Sequence, residues 1–182
     1  MHRLLRIART LLIALVAAIL VLTIAFEFTV VRPALIRTAS LLATATPSER
    51  NPPVTVLEIL GRSQPELRKY QVARNLLTHA PLYVEGLGRT RRQSAELGLG
   101  LFLSLHLSAH ELAALHLSQA YMGTGVHGFA QASLVHLGVP LESVTLEQAA
   151  KLVAISYAPS AYLASPERLA RRTEFLLAAR RQ

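Results

Sequence analysis

The 182-residue chain contains no cysteine and no tryptophan. The missing cysteines exclude disulfides and thiolate metal sites. Aromatic residues make up 5% of the chain and charged residues 16%. Negative charge is the scarcer sign: 11 acidic residues stand against 19 Lys and Arg, a formal net charge of +8 with a sequence pI of about 10.8. Such a balance suits nucleic acid, an anionic membrane surface or a phosphorylated substrate. With so few aromatics and no RNA- or DNA-binding signature, nucleic acid ranks last and is not expected as a partner. No G-x-S-x-G nucleophile elbow is present, which sets a serine hydrolase aside. Apolar residues are abundant instead, at 52%, and mean hydropathy is +0.36. The length suits one small domain plus an anchor.

The N-terminus carries the long apolar run. Thr10 to Phe26 reads TLLIALVAAILVLTIAF, and Glu27, Phe28, Thr29, Val30 and Val31 follow before Arg32-Pro33. About 20 apolar residues cross the hydrocarbon core as a helix. Arg3, Arg6 and Arg9 precede the run, so the positive-inside rule places the N-terminus in the cytoplasm and the rest outside. A cleaved signal peptide would have a shorter apolar core and a small-x-small site soon after it. Glu27-Phe28-Thr29 stands there, and an uncleaved anchor is expected. The chain thus divides into a basic tail over 1–9, an anchor over 10–31, a linker over 32–65 and a helical domain over 66–182. The linker assignment rests on Thr44, Thr46, Pro47, Ser48, Asn51, Pro52 and Pro53, since prolines remove donors and fix the backbone. Within it, Val54 to Leu60 reads either as a short strand or as the start of a helix, ended by Gly61.

Further on, Leu67 to Leu77 has apolar residues at three- and four-residue steps and predicts a helix. Leu97 to Leu107 (LGLGLFLSLHL) alternates as a strand would. Ser108-Ala109-His110-Glu111 is a capping box and predicts a helix start. That start breaks the i, i+4 relation of His106 and His110, so no metal site is expected there or with His116. Gly123-Thr124-Gly125-Val126-His127-Gly128 fits G-x-G-x-x-G, but a helix precedes it where a dinucleotide loop needs a strand. A tight turn with positive backbone angles is the expectation. Thr145-Leu146-Glu147-Gln148 caps another helix. Ser165-Pro166-Glu167 caps the last, with Leu169, Phe175, Leu176 and Ala179 on its packing side and its arginines outward.

From Ser108 to Tyr162 these pieces follow one another in a recognisable order. Glu111-Leu112, His116-Leu117-Ser118, Tyr121-Met122-Gly123-Thr124-Gly125, Gly128-Phe129, Leu137-Gly138, Leu146-Glu147-Gln148-Ala149-Ala150 and Ala158-Pro159-Ser160-Ala161-Tyr162 resemble the C-terminal half of the peptidoglycan glycosyltransferase domain. This is the family 51 glycosyltransferase domain of penicillin-binding proteins and single-domain transglycosylases. Gln71 to Leu77 is similar to that family's Q-L-A-K-N-L, and Pro166 to Arg172 to its P-E-R-A-x-x-R ending. The resemblance implies a mainly α, lysozyme-like helical domain, truncated, on a single N-terminal transmembrane helix. It also makes Leu97 to Leu107 a buried helix, with Gly98 and Gly100 marking close packing or contact with the membrane surface.

The resemblance carries site residues with it. Without a gap, Glu96 falls on the family's third-motif glutamate, Arg92 on the arginine of R-K and Gln93 on its lysine. Arg89 matches the upstream arginine if one residue is deleted. The family's substrates are lipid-linked disaccharide diphosphates, and guanidinium groups bind phosphate bidentately. Arg74, Arg89 and Arg92 are therefore the diphosphate ligands that the resemblance implies, and Glu96 beside them is a candidate catalytic residue. A solvated basic loop at an anionic membrane is the plainer reading of the same cluster. The family's E-D-x-x-F-x-x-H, whose glutamate is the proposed general base, is absent, and so is G-G-S-T-I-T-Q. Glu58 is the acid in a suitable local setting and becomes the candidate base. The fourth-motif lysine and asparagine fall on Ala109 and Ser118. Two functions follow. One is a membrane-anchored glycosyltransferase in peptidoglycan synthesis, with the inner (plasma) membrane, a lipid-linked precursor and other cell-wall proteins as partners, its domain periplasmic or extracellular, and catalysis in question. The other is a non-catalytic accessory protein of a cell-wall complex. Neither calls for a cofactor or a metal.

Overall fold

A computed structural model of the chain describes residues 2–63, 65–78 and 88–179. Among these residues the secondary structure is helical, without strands, in a lysozyme-like arrangement. Helix α1 (His2–Phe26) carries three arginines in its first turns, is predominantly apolar from Leu11 onward and buries none of its apolar window in the protein. It has the length and hydropathy to cross a membrane. It continues through a π turn (Glu27–Val31) into α2 (Arg32–Thr44). Pro33 accounts for the wider turn: in a straight α-helix its ring would meet the carbonyl four residues back.

Residues 32–65, expected as a linker, are mostly helix. After α2 come α3 (Pro47–Arg50) and α4 (Val54–Arg62). The prolines that suggested a linker are helix starters. Pro47 sits in a first turn and Pro53 caps α4. A first-turn residue has no intrahelical N–H bond to lose. Gly61 does not end α4, which runs to Arg62.

Helices α5 (Pro65–Thr78), α6 (Arg89–His106) and α7 (Ala109–Gln119) build one apolar core, where Val31, Val72, Leu76, Leu99, Leu103 and Leu115 meet. A second core joins α4 and α7 to α8 (Phe129–Leu137), α9 (Leu146–Tyr157) and α11 (Pro166–Ala178), through Ile59, Leu117, Phe129, Leu152, Ile155 and Leu176. Short α10 (Pro159–Leu163) links the last two. Helix α7 serves both cores, with Leu112 and Leu115 on one side and Leu117 on the other.

The alternating stretch Leu97 to Leu107 is helix up to His106, and it is buried on one side. Leu99 and Leu103 are fully buried, while Leu97, Leu101 and Leu105 are exposed. Its glycines are there for close packing. A Cβ at Gly98 would lie 3.3 Å from the Phe26 ring, and one at Gly100 would lie 2.5 Å from Tyr70. The capping boxes at Ser108 and Thr145 form as the sequence predicts. The glycine segment is a tight turn, with φ of +86° at Gly123, +77° at Gly125 and +80° at Gly128. Ser165 differs from expectation. Pro166 begins α11, but the serine hydroxyl makes no cap bond. Phe175 also turns outward, 60% exposed, and Arg172 stacks between it and Tyr157.

One buried acid locks the two halves of the chain together. Glu49, 5% exposed, completes a capping box on α3, its Oε2 accepting from the Thr46 N–H at 3.1 Å. Its Oε1 accepts from the Ala130 N–H at 3.1 Å, in the first turn of α8. A single carboxylate thus serves two helix N-termini, where negative charge is favoured. His116, on α7, is also buried. Its ring lies 5.9 Å from that of Phe129, and its Nδ1 has no hydrogen-bond partner. Burial, and then the Arg68 guanidinium, push its pKa down to about 4.

Two outcomes are expected. Glu49→Ala strands the Thr46 and Ala130 N–H groups and should cost about 2–4 kcal/mol in denaturant unfolding; a loss under about 0.5 kcal/mol would contradict the double cap. His116 stays neutral in the folded chain where the unfolded chain protonates. Stability should therefore be complete above pH 6.5 and fall as pH drops towards about 4, by up to about 3 kcal/mol. His116→Leu should remove that part of the slope, read as the difference between the two pH profiles.

Candidate functional site: a charged cleft between α5 and α6

Glu96 lies on the otherwise apolar inner face of α6, in line with Leu99 and Leu103. Its side chain is 8% exposed. An ionised carboxylate so placed needs partners. Arg92, one turn earlier on α6, bonds Oε1 through Nε at 3.0 Å. Arg74, from α5, bonds Oε2 through Nε at 3.1 Å. The acid is the floor and the two bases are the rim: their side chains are 60% exposed for Arg74 and 39% for Arg92. A cleft of about 350 Å³ opens above them, lined by Arg74, Arg92, Gln93 and Glu96. Guanidinium groups are bidentate donors to oxyanions, and here a carboxylate beneath holds two of them in place.

The structure therefore brings together three of the residues read from the sequence. Arg89 opens α6, but its side chain and Gly86 lie outside the described residues. Glu58 is elsewhere. It sits on α4, in the other core, and accepts from Arg62 Nη2 at 2.7 Å. Arg62 Nη1 in turn donates to the Leu177 carbonyl at 2.8 Å. Glu58 belongs to a tie between α4 and α11 and does not line the cleft.

The acid that reading by motif overlooked is Glu49. Its signal was present in Thr46-Pro47-Ser48-Glu49, a T-x-x-E capping pattern. The histidines of the earlier spacing argument separate in space. His106 ends α6, with Nε2 3.5 Å from Glu27 Oε2. His110 is exposed on the first turn of α7, and His116 is buried. The adjacent Glu111 has its pKa lowered, chiefly by the Ser108 backbone N–H and then by the serine hydroxyl.

Comparison with known proteins places these elements. The family model described as transglycosylase matches residues 69–180, so it covers α5 to α11 and the whole cleft. Penicillin-binding protein 1A of Neisseria gonorrhoeae is 30% identical over 109 residues, 59% of this chain and 13% of that protein. A Cupriavidus necator protein provisionally named a transglycosylase is 31% identical over 109 residues, 59% of this chain and 45% of its own length. Penicillin-binding protein 2a of Streptococcus pneumoniae is 37% identical over 71 residues, 39% of this chain and 10% of that protein. The chain thus spans less than half the length of each of these relatives.

Proposed function

The chain belongs to the transglycosylase family, and on that premise we propose that it is a membrane-anchored, peptidoglycan glycosyltransferase-like protein that binds a lipid-linked disaccharide diphosphate in the α5–α6 cleft. The observation that carries this reading is the clamp itself. Arg74 and Arg92 bond a buried Glu96 from either side while their side chains stay 60% and 39% exposed, on the segment that aligns with the family. In glycosyl transfer the acceptor hydroxyl attacks the anomeric carbon. The bond to the diphosphate breaks, and a base takes the hydroxyl proton. Arg74, Arg92 and Arg89 would hold the departing diphosphate, whose charge increases as that bond breaks. Glu96 is bonded to both arginines, and its part is to position them. The α1 helix would anchor the protein in the inner (plasma) membrane, with its N-terminus in the cytoplasm and the cleft outside, beside other cell-wall synthesis proteins.

A second reading has its own support. Among the described residues lining the cleft, Glu96 is the acid, and Arg74 and Arg92 already engage it. Glu58 is held by Arg62 away from the cleft. That arrangement suits a substrate-binding accessory protein as well as an enzyme.

One set of samples separates the two. Purified protein in detergent is given fluorescent lipid-linked disaccharide, and binding and glycan-chain formation are read together. Arg74→Ala and Arg92→Ala should each weaken binding by about tenfold or more, the loss typical of a charge-assisted contact. Unchanged binding by the double variant would overturn the cleft assignment. Polymer from the wild-type chain would establish an enzyme, and Glu58→Gln would then test whether Glu58 is the base. Binding without polymer would establish the accessory reading.

A further inference from the structure

We infer that the apolar groove between α2, α5 and α6 is a site for one anionic phospholipid, with an acyl chain lying along α2 and the phosphodiester beside Arg37. The inference rests on reading α1 as a membrane anchor, which puts the mouth of the groove at the leaflet surface. The groove holds about 510 Å³, within the ~300–1,000 Å³ usual for small-ligand sites. Pro33, Ala34 and Ser40 form one wall, and Leu76, Leu77 and Leu99 the other. Small side chains on α2 thus stand opposite leucines, and the space between them is open to an apolar occupant.

The two ends of the groove differ. Thr29 and Val30, in the π turn, line the end beside α1. The helix runs on from α1 through that turn into α2. About 20 residues counted from Thr10 cross a hydrocarbon core, so Thr29 lies at its edge. The Thr29 hydroxyl bonds the Ala25 carbonyl at 2.7 Å and so has its donor satisfied within the helix. From Thr29 to Leu41 the groove follows α2 for about 18 Å. At the far end Arg37, Leu41 and Leu76 also line a narrower slot, together with Asn75 and Gln119. The lining is therefore apolar beside the anchor and polar away from it. An amphiphile drawn from the leaflet fits in one orientation, its chain towards the anchor and its head at Arg37.

Charge selects among amphiphiles. Among the described residues lining the groove and its slot, Arg37 is the charged one. A phosphodiester carries a single negative charge, and a guanidinium binds it bidentately. A lipid-linked diphosphate carries more, and the arginines proposed to bind it line a separate cleft. A zwitterionic headgroup would bring its own cation towards Arg37. Lipid tails are as apolar as leucine side chains, so a chain that leaves the leaflet for the groove gains little, and preference rests on the headgroup.

The full chain in dodecyl maltoside is titrated with palmitoyl-oleoyl phosphatidylglycerol or with phosphatidylcholine of the same chains, and adducts are counted by native mass spectrometry. Phosphatidylglycerol should bind saturably at one per chain, about fivefold or more tighter than phosphatidylcholine. Arg37→Gln should bring the two lipids to within about twofold of each other. Ala34→Phe, which fills the groove, should weaken both by about tenfold or more. Ile36→Trp, at an exposed position on the rim, serves if that variant does not fold. It supplies the lone indole of a chain without tryptophan, and acyl-brominated phosphatidylglycerol should quench it with saturation at one lipid per chain. Equal affinity for the two lipids, adducts that rise without a plateau, or full binding by a folded Ala34→Phe chain would each overturn the proposal. Displacement of phosphatidylglycerol by an equimolar polyprenyl phosphate would mean that the groove takes a prenyl chain, which also overturns it. Arg74→Ala with Arg92→Ala should leave phosphatidylglycerol binding unchanged, so failure of the cleft is visible separately. Failure of the wild-type chain to float with phosphatidylglycerol vesicles would remove the anchor reading and this proposal together.

Discussion

The α5–α6 pair depends on one charge. Glu96 stands on a helix face otherwise given to Leu99 and Leu103, and it is tolerable there because Arg74 and Arg92 bond one oxygen each. Removing water from a carboxylate costs several kcal/mol unless its hydrogen bonds are replaced. The clamp replaces them and at the same time draws α5 onto α6. Gly100 permits the approach, because any side chain there would strike Tyr70. The same arginines are the groups proposed to bind the diphosphate. A bound diphosphate would have to share them with Glu96, so its affinity reflects the difference between two anions competing for the same donors.

Around that pair the architecture is economical. Helix α7 is lined on both sides and joins the two cores, so the cleft is held against the body of the domain without a dedicated support. Glu49 does the corresponding work in the other half, tying α3 to α8 across 81 residues of sequence. Both acids are buried and multiply bonded. One sits at helix ends where the backbone supplies the donors. The other sits mid-helix, where only side chains are able to, and that difference separates a fold-holding acid from one that presents arginines to solvent.

Much of this was legible in the sequence, for reasons that can be named. The capping boxes at Ser108 and Thr145 use local hydrogen bonds that the residue types announce, and the glycine turn needs positive φ, which glycine supplies. Arg92 and Glu96 are one helical turn apart, so their pairing is also local. What failed was less local. Pro47, Pro52 and Pro53 read as a linker because proline breaks helices and starts them equally well, and only the burial of Val56, Ile59 and Leu60 behind them decides which. Glu58 had a plausible setting in the sequence and lies on another core in space. Ser165 occupies a cap position without capping, and Phe175 lies outside the core with its ring against Arg172.

The segment matched by the transglycosylase family carries the cleft, while α1 and the π turn lie before it. The central claim is therefore positional: lipid-linked diphosphate binds where α5 meets α6. Hydrogen exchange of the detergent-solubilised chain, with and without saturating lipid-linked disaccharide diphosphate, tests it most directly. The account expects new protection concentrated in residues 70–78 and 89–96. Protection confined to the α9–α11 side, or an exchange profile unchanged at saturation, would contradict it.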